Sequence, residues 1–275
     1  MTMVTPKDAA TVIMLRGMSP EDTGGFEVLM ALRSSRSAFV PCSHVFPGGR
    51  VDDADRSAGM RRFVGPVDSL EIDRVLGGSK KGREALGIWI AAVRETFEEV
   101  GILLASPRGS SRVVTVDSPD ERGRYRSCRR DLLSERATLE DILKREDLTL
   151  ALNRLHYFSR WITPEQSPLR YDTRFFIAAV PPGQEACHDG EEVTGHRWIT
   201  PGRALEEYRL GRFHMVVPTI VTLEELCRFQ TVDEVIASTR GKVITDRLNR
   251  FVDEDGEITE HTPDGRVFRN LVPRR

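Results

Sequence analysis

The stretch Arg94-Glu95-Thr96-Phe97-Glu98-Glu99-Val100-Gly101-Ile102 constrains this chain more than any other. It closes an apolar run, Ala85-Leu86-Gly87-Ile88-Trp89-Ile90-Ala91-Ala92-Val93. Ala, Leu and Glu favour helix, and Gly101 suits a left-handed residue at the C-terminal end. At about 3.6 residues per turn, Glu95, Glu98 and Glu99 project from one face. Like charges at that spacing repel by roughly a few tenths of a kcal/mol per pair. A hard divalent cation, which accepts several carboxylate oxygens, relieves the repulsion. A solvated acidic face is the other reading of the same spacing.

Upstream lies Phe46-Pro47-Gly48-Gly49-Arg50-Val51-Asp52-Asp53-Ala54-Asp55. Taken together, the two pieces resemble the box of the Nudix hydrolases: Gly, five residues, Glu, seven residues, then Arg-Glu-apolar-x-Glu-Glu-x-Gly-apolar. Arg94, Glu95, Glu98, Glu99, Gly101 and Ile102 all match. Thr96 replaces an apolar residue, and Asp55 stands where Glu is expected. Between Asp55 and Arg94 lie 38 residues rather than seven, an insertion of 31. A box interrupted at this point is similar to that of the peroxisomal coenzyme A diphosphatases. The stretches Arg160-Trp161-Ile162-Thr163-Pro164 and Tyr171-Asp172-Thr173-Arg174-Phe175-Phe176 resemble the same branch, so the likeness covers most of residues 9–230.

The rest of the chain alternates strands and helices around this centre. Ala9–Arg16 and Phe26–Arg33 are apolar, partly β-branched runs joined by a polar turn, an opening hairpin. Val113–Val116 is a short strand candidate, and further strands are expected at the end of Leu150–Pro164 and at Asp172–Val180. Helices are expected over Asp120–Glu135, from Thr138 as a cap, from Pro201, from Val217, and over Thr231–Ser238. The insertion, about 56–82, carries Phe63, Leu70, Ile72, Val75 and Leu76 and reads as a helical excursion. Its Gly77–Gly82 segment lacks the residue order of a phosphate loop and reads as a linker. Glu257–Phe268 reads as a hairpin around Pro263-Asp264-Gly265. The fold these patterns and the resemblance imply is a Nudix-type α/β/α sandwich with a mixed β-sheet, plus helical insertions. A hydrolase domain is expected over 1–240, with helical additions about 118–147 and a C-terminal extension over 241–275.

The resemblance implies a metal-dependent hydrolase of a diphosphate bond. Coenzyme A or acyl-CoA is the favoured substrate, giving 3′,5′-ADP and phosphopantetheine. ADP-ribose, NADH and dinucleotides are rivals, and some Nudix-like domains only bind nucleotides. Those typically lose box carboxylates, whereas all three helix glutamates stand here. The expected metal set is Glu95, Glu98, Glu99 and the carbonyl of Gly49, holding Mg²⁺ or Mn²⁺. Glu95 or Glu192 is the candidate base, and Arg94 orients the neighbouring carboxylates. Arg50 and Arg174 are the candidate substrate-binding residues. Arg122, Arg126, Arg129 and Arg130 read either as phosphate contacts or as a solvated helix face.

A net charge of −2 gives no reason to expect nucleic acid or an anionic membrane as partner. Cys42, Cys128, Cys187 and Cys227 form no CxxC pair and read as reduced thiols. The C-terminus is not of the Ser-Lys-Leu type, and no apolar run suits a signal peptide or membrane span. The cytoplasm is the expected location, with a homodimer open.

Overall fold

The two opening strands set the frame of the sheet. A computed structural model of the chain describes residues 4–18, 25–65, 72, 76, 80–254 and 256–269. β1 (Lys7–Gly17) and β2 (Phe26–Arg33) pair antiparallel only where Leu15–Gly17 meets Phe26–Val28. Beyond that they part. β3 (His44–Val45) fills the fork from the side of β2, and β4 (Gly48–Arg50) fills it from the side of β1. The glycine turn is therefore fixed by backbone pairing on both flanks.

Two short 3-10 turns, Ala54–Arg56 and Ala58–Phe63, begin the insertion. Of the linker expected at Gly77–Gly82, residues 77–79 lie outside the described residues, as do 66–71 and 73–75 of the expected helical excursion. The chain then enters α1 (Gly82–Val100), which Gly101 ends in the left-handed conformation, φ 73°. That is the termination expected of it. There follow β5 (Ala105–Pro107), α2 (Pro119–Leu133), α3 (Leu139–Arg145) and β6 (Leu148–Leu150). Ser118 and Thr138 open the two helices with complete capping boxes. Val113–Val116 is not a strand; β5 pairs instead with β6 in a small two-stranded sheet. The apolar side chains of that segment still serve the core, since Val114 and Val116 are buried.

β7 (His156–Ile162), β8 (Tyr171–Ala179) and β9 (Val193–Ile199) complete the main sheet's long strands. β8 runs parallel to β1, β7 antiparallel to β8, and β9 antiparallel to β2, so the sheet is mixed. α4 (Pro201–Arg209), α5 (Val217–Leu226) and α6 (Val232–Ser238) then cover one face. Residues from 241 onward do more than extend the chain. β10 (Asp246–Leu248) joins the edge of the main sheet beside β7. β11 (Arg250–Glu254), β12 (Glu257–His261) and β13 (Val267–Arg269) form their own antiparallel sheet, containing the expected hairpin.

The period of two along β1 divides the core. Ala10, Val12 and Met14 face α1, whereas Ile13 and Leu15 face α4, α5 and α6. The result is the expected α/β/α sandwich with helical insertions. α1 is buried on nearly every side, because Met60 and Phe63 of the insertion and Tyr125, Leu132, Ile142 and Leu143 pack over its outer face. An all-round apolar helix needs such a double covering. Among the described residues, no helix is long and apolar enough to cross a membrane.

Candidate active site

The last turn of α1 carries the acidic face to the floor of a cleft of about 2240 Å³. Glu95, Glu98 and Glu99 line it, together with Gly48, Gly49 and Arg50 of β4, and with Glu192 and other residues ahead of β9. The fork between β1 and β2 is what delivers the glycine turn. Gly48 N donates to Glu99 Oε2 at 2.8 Å. A Cβ on Gly49 would stand 2.6 Å from the Glu95 carboxylate. A side chain at 49 would displace the Glu95 carboxylate, so it is this close approach, not backbone conformation, that favours glycine here.

Arg94 organises the floor. Its Nε and Nη2 donate to the two oxygens of Asp55, both at 2.9 Å. Its Nη1 donates to Glu95 Oε1 at 2.9 Å and Glu98 Oε2 at 2.7 Å, and Nη2 also reaches the carbonyl of Arg50 at 2.9 Å. Asp55, the residue standing in for glutamate, is buried and so fills a defined place. The shorter acid forms a bidentate clamp with the guanidinium, a strong and geometrically specific pairing. Burial works against Arg94's charge, but Asp55, Glu95 and Glu98 outweigh it and raise its pKa above the ordinary arginine range.

One guanidinium does not balance this many carboxylates. Burial pushes Glu95 up to about 8; Arg94 opposes the shift, while Glu98 and Asp55 add to it. Glu98 is raised by burial against the pull of Arg94. Glu99 is raised well above the usual range by burial and by Glu95, with the Gly48 N–H and Arg33 opposing and Glu192 adding. Arg33 stands 3.8 Å from Glu99, too far for a direct hydrogen bond. The electrostatics of the floor therefore call for further positive charge.

The donor chemistry fits a hard cation. Glu95 Oε2, Glu98 Oε1 and Glu99 Oε1 accept no hydrogen bond among the described residues, while the opposite oxygens are held by Arg94 or by Gly48. Among those residues, however, no three acidic, histidine or cysteine side chains converge on one point as they stand.

The other expected site residues divide. Arg50 lies on the rim, exposed and paired with Asp52 at 2.9 Å. Glu192 is exposed at the cleft mouth, its carbonyl accepting from Ser34 N at 2.8 Å. Arg174 is not at the site, which corrects the expectation that it binds substrate. It is fully buried, with Nη1 on Asp8 Oδ1 at 2.8 Å and on Asp172 Oδ2 at 3.1 Å. A guanidinium enclosed within the sheet has no path to a ligand.

Arg129 has a place that its sequence does not announce. Its Nε and Nη2 donate to the carbonyl of Glu98, at 2.9 and 2.7 Å, and Nη1 donates to the carbonyl of Cys187 at 2.7 Å. It thus covers an orphan carbonyl at the negative end of α1 and ties α2 to the segment before β9.

Comparison with known proteins decides the family. The NUDT19 Nudix domain family matches residues 6–229, most of the chain. This chain belongs to the Nudix hydrolases. Acyl-coenzyme A diphosphatase NUDT19 of Gallus gallus is 30% identical, over 97% of this chain and 78% of that protein. The Homo sapiens protein of the same name is 28% identical, over 96% and 78%. A crystal structure of a Nudix hydrolase from Alicyclobacillus acidocaldarius superposes with a TM-score of 0.66 at 26% identity, covering 86% of this chain and 97% of that one. The interrupted Nudix box is thus an elaboration within a preserved Nudix sandwich.

Proposed function

We propose that the cleft hydrolyses the diphosphate of coenzyme A or an acyl-CoA, releasing 3′,5′-ADP and the matching phosphopantetheine. One observation carries the hydrolytic reading: three carboxylates of α1, each with an open oxygen, sit at the base of a wide cleft. Ordinary ligand pockets span roughly 300–1,000 Å³. A cleft of about 2240 Å³ suits a substrate with a nucleotide at one end and a long arm at the other. The relatives named acyl-coenzyme A diphosphatase support the choice of substrate.

Glu95, Glu98 and Glu99, with the Gly49 carbonyl, would hold a divalent ion, Mg²⁺ or Mn²⁺. When bound, such an ion neutralises diphosphate charge and acidifies water. Arg94 fixes the carboxylates through its clamp on Asp55, so their positions are set before substrate arrives. Glu95 or Glu192 takes the proton of the attacking water. Arg50, at the rim, meets the diphosphate oxygens.

The test is product analysis by mass spectrometry with coenzyme A, acetyl-CoA, ADP-ribose, NADH and diadenosine polyphosphates, each with Mg²⁺ or Mn²⁺ and with EDTA controls. Metal-dependent 3′,5′-ADP from the CoA compounds alone is the expected outcome. Glu98→Gln should lower turnover by about 100-fold or more with little change in melting temperature. Cleavage confined to ADP-ribose or NADH would sink the substrate. Metal binding without any turnover would favour a nucleotide-binding module.

A further inference from the structure

Most arginines around the cleft are already committed. Arg94 is clamped by Asp55 and Arg129 is held by two carbonyls; Arg33 faces Glu99 and bonds Ser37, and Arg50, paired through Nε with Asp52, is the one assigned above to the diphosphate. Arg36, Arg126 and Arg130 differ. All three are exposed and line the cleft, and among the described residues none is paired with a carboxylate. Arg130 makes one long contact, 3.4 Å, to Ser127 Oγ.

Several acids of the helical addition are spent elsewhere. Asp131 takes Arg136 and Arg145, Glu146 takes Arg124 and Arg145, and Glu121 closes the capping box of α2. Glu140 takes Arg62. Glu135 and Glu191 also reach the cleft, and neither forms an ion pair with the three arginines. Arg126 and Arg130 stand at i and i+4, neighbours on one helix face, where like charges repel. A phosphomonoester, carrying close to two negative charges and three acceptor oxygens, relieves that repulsion.

The topology places this charge on one side. Arg129 fastens α2 to Cys187, and Ser34 fastens the loop of Arg36 to Glu192, so both flank the segment leading into β9. β7 and β8 lie on the opposite side of β1. Their part of the cleft carries the aromatic side chains Trp161, Tyr171 and Phe175, joined by Phe251 of β11, with Thr163, Ser167 and Thr173 among them. The glutamates of α1 lie on the floor between them.

Resting on the function proposed above, we infer that Arg126 and Arg130, assisted by Arg36, bind the 3′-phosphate of the nucleotide. This group distinguishes coenzyme A from dephospho-coenzyme A. The adenosine end lies towards α2, the diphosphate over the glutamates, and the pantetheine arm along the aromatic wall.

Two measurements on the full chain separate this inference from the reading beneath it. The first is kcat/KM for coenzyme A and dephospho-coenzyme A, in wild type and in Arg126→Ala/Arg130→Ala. The preference for coenzyme A should fall about tenfold or more, mostly through KM, and Arg126→Lys/Arg130→Lys should restore part of it. An equal fall for both substrates, leaving the preference intact, overturns the inference. The second is binding of 3′,5′-ADP against AMP by calorimetry, which requires no turnover. Tighter binding of 3′,5′-ADP in wild type, lost in the double alanine variant, supports the subsite even if coenzyme A is not cleaved. Equal binding of the two nucleotides by wild type overturns the subsite while leaving hydrolysis to stand.

Discussion

Two buried arginines, Arg94 and Arg174, solve opposite problems within one molecule. Arg94 sits among Asp55, Glu95 and Glu98, with every nitrogen bonded and negative charge left over. Arg174 sits between Asp8 and Asp172, each of which has other cations: Arg56 and Lys80 for Asp8, Arg160 for Asp172. Among the described residues, its Nε and Nη2 have no hydrogen-bond partner. The first cluster is short of positive charge and opens onto a cleft; the second is supplied and sealed. Burial and ion pairing alone do not mark a site. Unmet charge facing open space does.

The comparison breaks most visibly at Arg94. Arg94→Met leaves Asp55, Glu95 and Glu98 without their common partner, and losing one member of a buried ion pair typically costs about 3–5 kcal/mol. Urea unfolding should show a loss of that order, with turnover abolished. A variant of near wild-type stability would mean that the acids are content without the guanidinium.

A smaller effect is expected from pH and metal. Glu95 is held at about 8 against the ordinary glutamate value of 4.5, so between these values the folded chain retains a proton that the unfolded chain has released. Its contribution to stability is complete below about 4.5 and is lost as pH rises towards 8. Without metal, the melting temperature of wild type relative to Glu95→Gln should therefore decline over this window. Cation binding requires the ionised carboxylate, so added Mn²⁺ should raise the wild-type melting temperature more at pH 8 than at pH 5.5. Equal shifts at both pH values would remove the link between excess charge and metal.

The smallest effect belongs to Arg174. Replacing it by Met leaves Asp8 and Asp172 with their remaining cations and removes two unpartnered nitrogens from the interior. The expected cost is below about 2 kcal/mol, with turnover within a few-fold of wild type. A loss of activity comparable with that of Arg94→Met would erase the distinction.

These two arginines also show what could be read from sequence. The acidic face, the Gly101 terminus and the helix caps rest on neighbours within a turn or two, where residue type and spacing speak directly. The acidic triad of the floor was legible for that reason. For Arg174 the near partner, Asp172, lies two positions away on the same strand, but the other, Asp8, is 166 positions away, and no local pattern records that the pair is sealed inside the fold. Arg129 escaped for a similar cause: its partners are carbonyls 31 and 58 positions distant, and carbonyls leave no trace in residue identity. The Val113–Val116 run shows a third limit, since apolar, β-branched residues mark burial more surely than pairing.

The clamp between Arg94 and Asp55 spans 39 positions and pins both ends of the inserted segment. For a flexible loop, each doubling of length adds only about 0.6 kcal/mol of closure entropy. A lineage could lengthen or shorten the chain between these two anchors, as long as Met60 and Phe63 still covered α1, while the carboxylates kept their coordinates. The interruption is then a socket rather than a scar, and the natural place in this molecule to graft a foreign peptide or a reporter.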